Sequence, residues 1–470
     1  MSDELLKRTA TEVGELIRTG EVTSVEVTRQ LLEHAHSLNS TVNAYISFRD
    51  DRALEEAHNA DAEIAAGRHR GPLHGVPMAI KDNLYVAGET TTMASKIHGE
   101  FVPGDNATVV DKLREAGVVL TGKLNMHEYA WGIDNNSPHF GPVRNPWDLD
   151  KVPGGSSGGS GAAVAADMSF STLGTDTAGS IRIPSAACGL VGMKPTHGRV
   201  AKFGCFPLAW TLDHIGPMSK SVADAAAMLQ AIAGHDPRDP TSLDVPVGDY
   251  GTAASGAPQE LVIGVEEDYF FRDVDTGVEK LVRAQIDQLV AAGATVKQVS
   301  IPSLAYSEWA ELATSLSEAS AIHHDDLVNR PDDFGPDIRF LFELGELFTA
   351  VDYLQAQQVR RQIKQEFSTA LREVDVIIAP TLPVMAPDIG SVMADLNDVQ
   401  VDLVDNFIRY TGPSNLTGLP ALTLPAGLKD GLPVGLQLIG GAFEEETLFN
   451  VAARIEATDP MQGQRAPVGA

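Results

Sequence analysis

Nothing constrains this chain more than the stretch from Pro153 to Arg182. It opens with Pro153-Gly154-Gly155-Ser156-Ser157-Gly158-Gly159-Ser160-Gly161 and closes with Gly174-Thr175-Asp176-Thr177-Ala178-Gly179-Ser180-Ile181-Arg182. Between these two loops lie a small-residue segment, Ala162 to Ala166, and a strand-like run, Ser169 to Leu173. Glycine at this density lets backbones approach closely and take dihedral angles closed to other residues. Serines held in such loops are fixed rather than merely solvated. A flexible linker does not fit, because apolar, structured sequence resumes at once on the C-terminal side.

The 470 residues carry 35 basic and 64 acidic side chains, a net charge of −29. That field repels nucleic acid and acidic membrane surfaces, so direct nucleic-acid binding is not expected. Two cysteines make no disulfide framework, and Cys188 and Cys205 read as small buried hydrophobes. The N-terminus lacks the basic and apolar regions of a signal peptide, and no apolar run is long enough to span a membrane. The expectation is a cytoplasmic protein.

Residues 3–19 and a segment entered through the capping box Thr23-Ser24-Val25-Glu26 read as helices, with a third over 51–66 stopped by Gly67. They form an expected N-terminal helical layer over 1–67, and a homodimer through it is left open. Val76 to Ile80 is a short buried strand ending at Lys81. A helix over 107–116 and a strand over 118–121 follow. The alternation continues through a helix at 219–233, a strand at 261–265, a helix at 277–292 and a strand at 295–299. It resumes with a helix at 353–374, strands at 376–379, 420–425 and 433–438, and a closing helix at 444–455. The expected fold is α/β, a large mixed twisted sheet covered by helices on both faces. One domain spans 1–470, with a catalytic core over 70–220 and a substrate-facing cap over 300–350.

Several chemistries can be set aside. The phosphate-loop spacing is missing, since Gly122-Lys123 is followed by Leu124. His34, His36 and the pair His323-His324 lack metal-ligand spacing. Gly155-Ser156-Ser157-Gly158-Gly159 matches the nucleophile-elbow pattern formally, but turn-like Asn145 to Lys151 stands where a strand is required. Read alone, Lys81 is a solvated strand end.

Taken together, these motifs resemble the amidase signature family. The resemblance rests on Lys81 in Ala-Ile-Lys-Asp-Asn, the Pro153 to Ser160 loop and Gly174 to Arg182. It also rests on Cys188 to Thr196, Asp213 to Pro217 and Gly431 to Gln437. It implies Lys81 as base, Ser156 as bridging serine and Ser180, 24 residues on, as nucleophile. It further implies an oxyanion hole from the N–H groups of Thr177, Ala178, Gly179 and Ser180, a cis Gly155–Ser156 peptide, and neither metal nor cofactor. Asp176 and Arg182 would brace the nucleophile loop as an ion pair.

Lysine acts as a base only when neutral, which burial favours, and a serine needs such a neighbour to become nucleophilic. Ala178 departs from the glycine many relatives carry, and Ile183 from the glutamine usual in tRNA-dependent amidotransferases. Arg360 matches an arginine that glutamine-using relatives turn to the substrate carboxylate, but Ile408-Arg409-Tyr410 supplies no acidic partner. Ala130 lies where relatives contact the acyl chain, and Phe206 to Trp210 is a candidate second wall. The expected activity is hydrolysis of a small-molecule amide. Alternatives are the glutaminase subunit of an amidotransferase, a carbamate or aryl-anilide hydrolase, and a non-catalytic binding protein.

Overall fold

The computed structural model describes residues 2–256 and 260–468. Its main sheet has eleven strands: β1 (Tyr45–Phe48), β2 (Pro77–Lys81), β3 (Val119–Leu124), β4 (Ser171–Asp176), β5 (Val191–Lys194), β6 (His214–Ser219), β7 (Val262–Val265), β8 (Thr295–Gln298), β9 (Val376–Pro380), β10 (Ala421–Lys429) and β11 (Leu432–Ile439). They lie in the order β1-β3-β2-β4-β6-β5-β10-β11-β9-β7-β8. The sheet is mixed, and helices pack against it, as the α/β reading expected. Among the described residues no helix is long and apolar enough to cross a membrane.

Sequence explains these positions well. β2 is buried at every residue, as befits a strand with neighbours on both sides. β8 is exposed throughout and lies at the edge, where Lys297 discourages further pairing. β2 runs parallel to β3 on one side, pairing Lys81 with Leu124, and parallel to β4 on the other, pairing Ile80 with Leu173. Lys81 therefore ends its strand beside the segment that follows Asp176. Ligands of sheets built this way collect outside the carboxyl ends of parallel strands.

Between the two glycine loops, Gly158–Ala165 forms a helix buried along nearly its whole length. Its entry approaches the sheet so closely that a Cβ on Gly159 would meet the Asn125 carbonyl oxygen at 2.3 Å. Only glycine fits there.

The expected single helix over 3–19 is two helices, Ser2–Leu6 and Ala10–Thr19. Lys7 and Arg8 separate them and Thr9 opens the second, its hydroxyl and the Glu12 side chain forming a capping box. The Thr23–Glu26 capping box is present as read. Val25 and Leu32 of the helix Ser24–Val42 meet Ala53 and Ala57 of Asp50–Ala65 over Val119 of β3. β5 and β6, which the sequence did not announce, lie near the centre of the sheet.

Residues 304–350 resolve into the helices Ser307–Asn329 and Pro336–Gly345. Another unannounced feature is the hairpin Met393–Leu396 and Val399–Asp402, leading into the helix Leu403–Arg409.

Candidate active site

Lys81 is wholly buried, and its Nζ reaches three hydroxyls: Ser156 Oγ at 2.8 Å, Ser157 Oγ at 2.9 Å and Thr175 Oγ1 at 2.8 Å. Burial pulls its pKa down from 10.5 to about 7, with only partial opposition from Cys205, Asp176 and Asp213. The Gly155–Ser156 peptide is cis, as the resemblance implied, and the Ser156 carbonyl accepts from His127 N–H at 3.1 Å. Ser157 Oγ donates to the Thr175 carbonyl at 3.2 Å, and Thr175 Oγ1 also accepts from Asn83 Nδ2 at 3.2 Å. Ser156 Oγ has no partner other than Lys81 among the described residues.

After β4 the chain turns around the Asp176 carboxylate. Arg182 clasps it with Nη2 at 3.0 Å and Nε at 3.1 Å, and both side chains are fully buried. Asn415 Nδ2 adds a bond at 2.8 Å. The rest of Arg182 binds Ser414 Oγ at 2.6 Å and Asn415 Oδ1 at 2.6 Å. Burial alone would raise the Asp176 pKa, but the Arg182 guanidinium overrides it and holds the carboxylate ionised below its usual range.

The expected oxyanion set needs one correction. Gly179 N–H donates to Asp176 Oδ1 at 2.8 Å and is not free to meet a substrate oxygen. The carboxylate three residues back captures it, as short acidic side chains do in turns. The N–H groups of Thr177, Ala178 and Ser180 have no acceptor among the described residues. Thr177 is fixed through its hydroxyl to Asp213 Oδ1 at 2.6 Å, and Ala178 through its carbonyl to Thr411 Oγ1 at 2.5 Å.

Ser180, Thr177 and Ala178 border a cavity of about 500 Å³. Its walls come from 127–136, from the helices Ser307–Asn329 and Pro336–Gly345, and from 391–408, and its lining is mostly apolar. None of the residues lining it is Lys or Arg. A larger hollow of about 1070 Å³, between 298–309 and 355–373, contains no member of this constellation. In the smaller cavity's wall His127 lies between Asp134 Oδ1 and Asp337 Oδ2, each 3.1 Å away.

A sequence profile of the amidase family matches residues 26–449. The chain belongs to the amidase family. The chain is 41% identical to a glutamyl-tRNA(Gln) amidotransferase subunit of Moorella thermoacetica, covering 99% of each. Among solved structures it is similar to a protein of a vestigial complex said to reveal the origins of an s-triazine catabolic enzyme. That similarity has a TM-score of 0.93 at 33% identity, over 97% of this chain and 99% of the other. A structure described as an amidase matches with a TM-score of 0.88 at 35% identity, over 96% of this chain and 100% of the other.

Ala130, which the resemblance set near the acyl chain, lines the cavity that Ser180 borders. Arg360 does not. Its guanidinium donates to the Leu416 carbonyl at 2.5 Å, to Thr211 Oγ1 at 2.9 Å and to the Thr211 carbonyl at 2.8 Å. A cation so engaged ties the helix Ala350–Ala370 to its neighbours instead of facing substrate. Of Phe206 to Trp210, only Leu208 reaches the cavity, while Phe206 stacks among Tyr129, His98 and His323.

Sequence reasoning did not assign Ser157, Thr175 or Asn415 to the site. The first two sit inside the motifs already singled out, so doubled hydroxyls flanking a buried lysine were the available signal. Asn415 stands in a segment with no pattern pointing at Asp176.

Proposed function

We propose that this amidase hydrolyses a small carboxylic amide through an acyl-enzyme on Ser180. The observation that carries the reading is the fully buried Lys81 amine 2.8 Å from Ser156 Oγ, with Ser180 bordering a cavity of about 500 Å³. A neutral amine offers two N–H donors and one lone pair. The Ser157 hydroxyl proton is committed to the Thr175 carbonyl, and Thr175 Oγ1 already accepts from Asn83. The protons of Ser156 and Thr175 remain for the lysine lone pair, and the relay is assigned to Ser156, whose Oγ has no other partner among the described residues.

Ser156 in turn takes the proton of Ser180, and Ser180 Oγ attacks the amide carbon. The N–H groups of Thr177, Ala178 and Ser180 receive the negative oxygen. As the tetrahedral adduct collapses, Ser156 passes its proton to the leaving nitrogen and is recharged from Lys81. Water, deprotonated along the same route, releases the acid. Asp176 and Arg182 hold the loop and touch no reacting atom.

An uncharged acyl group suits a cavity without lysine or arginine. The purified chain should release ammonia or an amine from some member of a panel of primary amides, anilides and carbamates, and Ser180→Ala should not. An inert wild-type chain across that panel would overturn the reading. On this reading the enzyme works in the cytoplasm and touches no nucleic acid.

The Moorella relative favours a second reading, a glutaminase subunit of a tRNA-dependent amidotransferase. Glutamine brings an α-carboxylate, for which the cavity offers no lysine or arginine; His127 is already held between Asp134 and Asp337, and Arg360 is engaged elsewhere. Ammonia release from glutamine only in the presence of partner subunits would establish this second reading and displace the first.

A further inference from the structure

The catalytic cavity contains one polar side chain that neither the fold nor the triad uses. Glu311, on the helix Ser307–Asn329, borders the cavity that Ser180 borders and is 2% exposed. Among the described residues neither Oε1 nor Oε2 has a hydrogen-bond partner. A buried carboxyl left unpaired costs free energy that folding does not recover. Such groups persist where a ligand supplies the missing partners.

The surroundings decide which ligand chemistry suits it. Arg360, the cation that most affects Glu311, is bound to Leu416 and Thr211 and forms no ion pair with it. Gly412 packs close by, a Cβ there coming 3.6 Å from Glu311 Cγ, so this neighbour brings no side-chain donor. Leu312, next in the chain, belongs to an apolar cluster with Ile183 and Ile408. Burial raises the Glu311 pKa well above the carboxylate range, against the weaker pull of Arg360. Burial thereby favours the protonated carboxyl, one O–H donor beside one carbonyl acceptor.

An anion would find two oxygens, while His127 on the cavity wall is already engaged by Asp134 and Asp337. An ammonium group would have to be stripped of water in an apolar pocket together with the charge it induces. A carbamoyl end, –CO–NH2, carries an acceptor beside a donor at the same spacing and meets a carboxylic acid through two parallel hydrogen bonds without separating charge. We propose that Glu311 is a specificity-determining residue that recognises a second carbamoyl group on the acyl part of the substrate. The substrate class is then amides whose acyl chain ends in –CO–NH2. The proposal rests on the hydrolase reading above.

The test pairs each α,ω-diamide from malonamide to adipamide with the alkyl amide in which isopropyl replaces the far carbamoyl group. The wild type should prefer its best diamide in kcat/KM by roughly 10- to 100-fold, the range two neutral hydrogen bonds supply. Glu311→Gln, which keeps a donor and an acceptor, should hold that ratio within about threefold. Glu311→Leu should erase it, mainly through KM.

If Glu311 served the fold alone, both substrates would suffer together and the ratio would stay put, overturning the proposal. A wild type that prefers the alkyl amides, or the matching ω-amino amides, overturns it as well. Should the wild type turn over no amide, titration of the Ser180→Ala protein separates the two claims. Tighter binding of diamide than of alkyl amide, lost on adding Glu311→Leu, keeps the Glu311 assignment while the hydrolase reading falls. Equal binding refutes the assignment.

Discussion

The state of Lys81 can be tested without knowing the substrate. A drop from the ordinary 10.5 to about 7 leaves about half of Lys81 neutral at pH 7, against roughly one molecule in three thousand for a solvated lysine. If the neutral amine activates Ser180 through Ser156, acylation of Ser180 by a fluorophosphonate should follow that neutral fraction. The labelling rate, read by mass spectrometry, should fall about fiftyfold from pH 7 to pH 5 and level off above about pH 8. Stability should report the same shift. Between pH 7 and 10.5 the unfolded chain holds a proton the folded chain has shed, so the Lys81 contribution rises with pH across that window. The full span corresponds to about 5 kcal/mol. Lys81→Met removes this dependence and leaves hydroxyls short of a partner, at about 1 kcal/mol each. Relative to wild type, the variant should therefore be at its best near pH 6 and lose ground by pH 10, while labelling is abolished throughout. A labelling midpoint above pH 9, or a stability difference that ignores pH, would refute the reasoning.

Ser180→Ala should abolish fluorophosphonate labelling with an unchanged urea midpoint; labelling that persists moves the nucleophile elsewhere. Arg182→Ala strands the buried Asp176 carboxylate and should cost about 3–5 kcal/mol in urea denaturation. Gly179→Ala would place a Cβ 2.3 Å from Thr411 Oγ1 at a φ of +135°, and should slow labelling at least tenfold, a loss of about 1.4 kcal/mol or more. Burial alone would lower His127, but Asp134 and Asp337 on either side raise it to about 9. Its contribution is complete below pH 6.5 and lost as pH rises through 9, opposite in sign to that of Lys81. His127→Gln should cost about 3 kcal/mol at pH 6 and clearly less at pH 9.5, checked by denaturation at both.

What could be read in advance follows from how locally each feature is specified. Lys81, Ser156 and Ser180 lie in motifs whose own residues shape the loops, and the structure sets Lys81 beside Ser156 as the pattern implied. β2 and β4 came through as apolar runs beside those motifs. β6 did not, because Gly216 and Pro217 interrupt it; a proline in a central strand contradicts the usual strand signal. Arg360 shows the limit of carrying a role by motif alone. Its place on a helix was legible, but the direction of its side chain depends on Thr211 and Leu416, far away in sequence. Gly179 failed for a nearer reason. A turn that exposes several N–H groups also lets a short carboxylate take one of them. Glu311 gave no signal at all, since an acidic residue on an acidic helix reads as a solvated face until packing buries it.

The floor and the walls of the site are held by different parts of the molecule. Lys81 ends a sheet strand, and Ser156 and Ser180 lie in glycine loops packed against that sheet, so each catalytic position is buried in the core that defines the fold. The walls come from 127–136, two helices and a hairpin-helix segment, none of which contributes a strand to the main sheet. The reacting groups are thus anchored in the core, while the space above them is shaped by segments outside the sheet. Chains of this architecture can therefore keep one reaction and exchange substrates, which is why similarity over nearly the whole chain identifies the chemistry and leaves the acyl group open. On the proposal made above the acyl group is decided in those walls, where an unpartnered carboxyl says more than overall resemblance does.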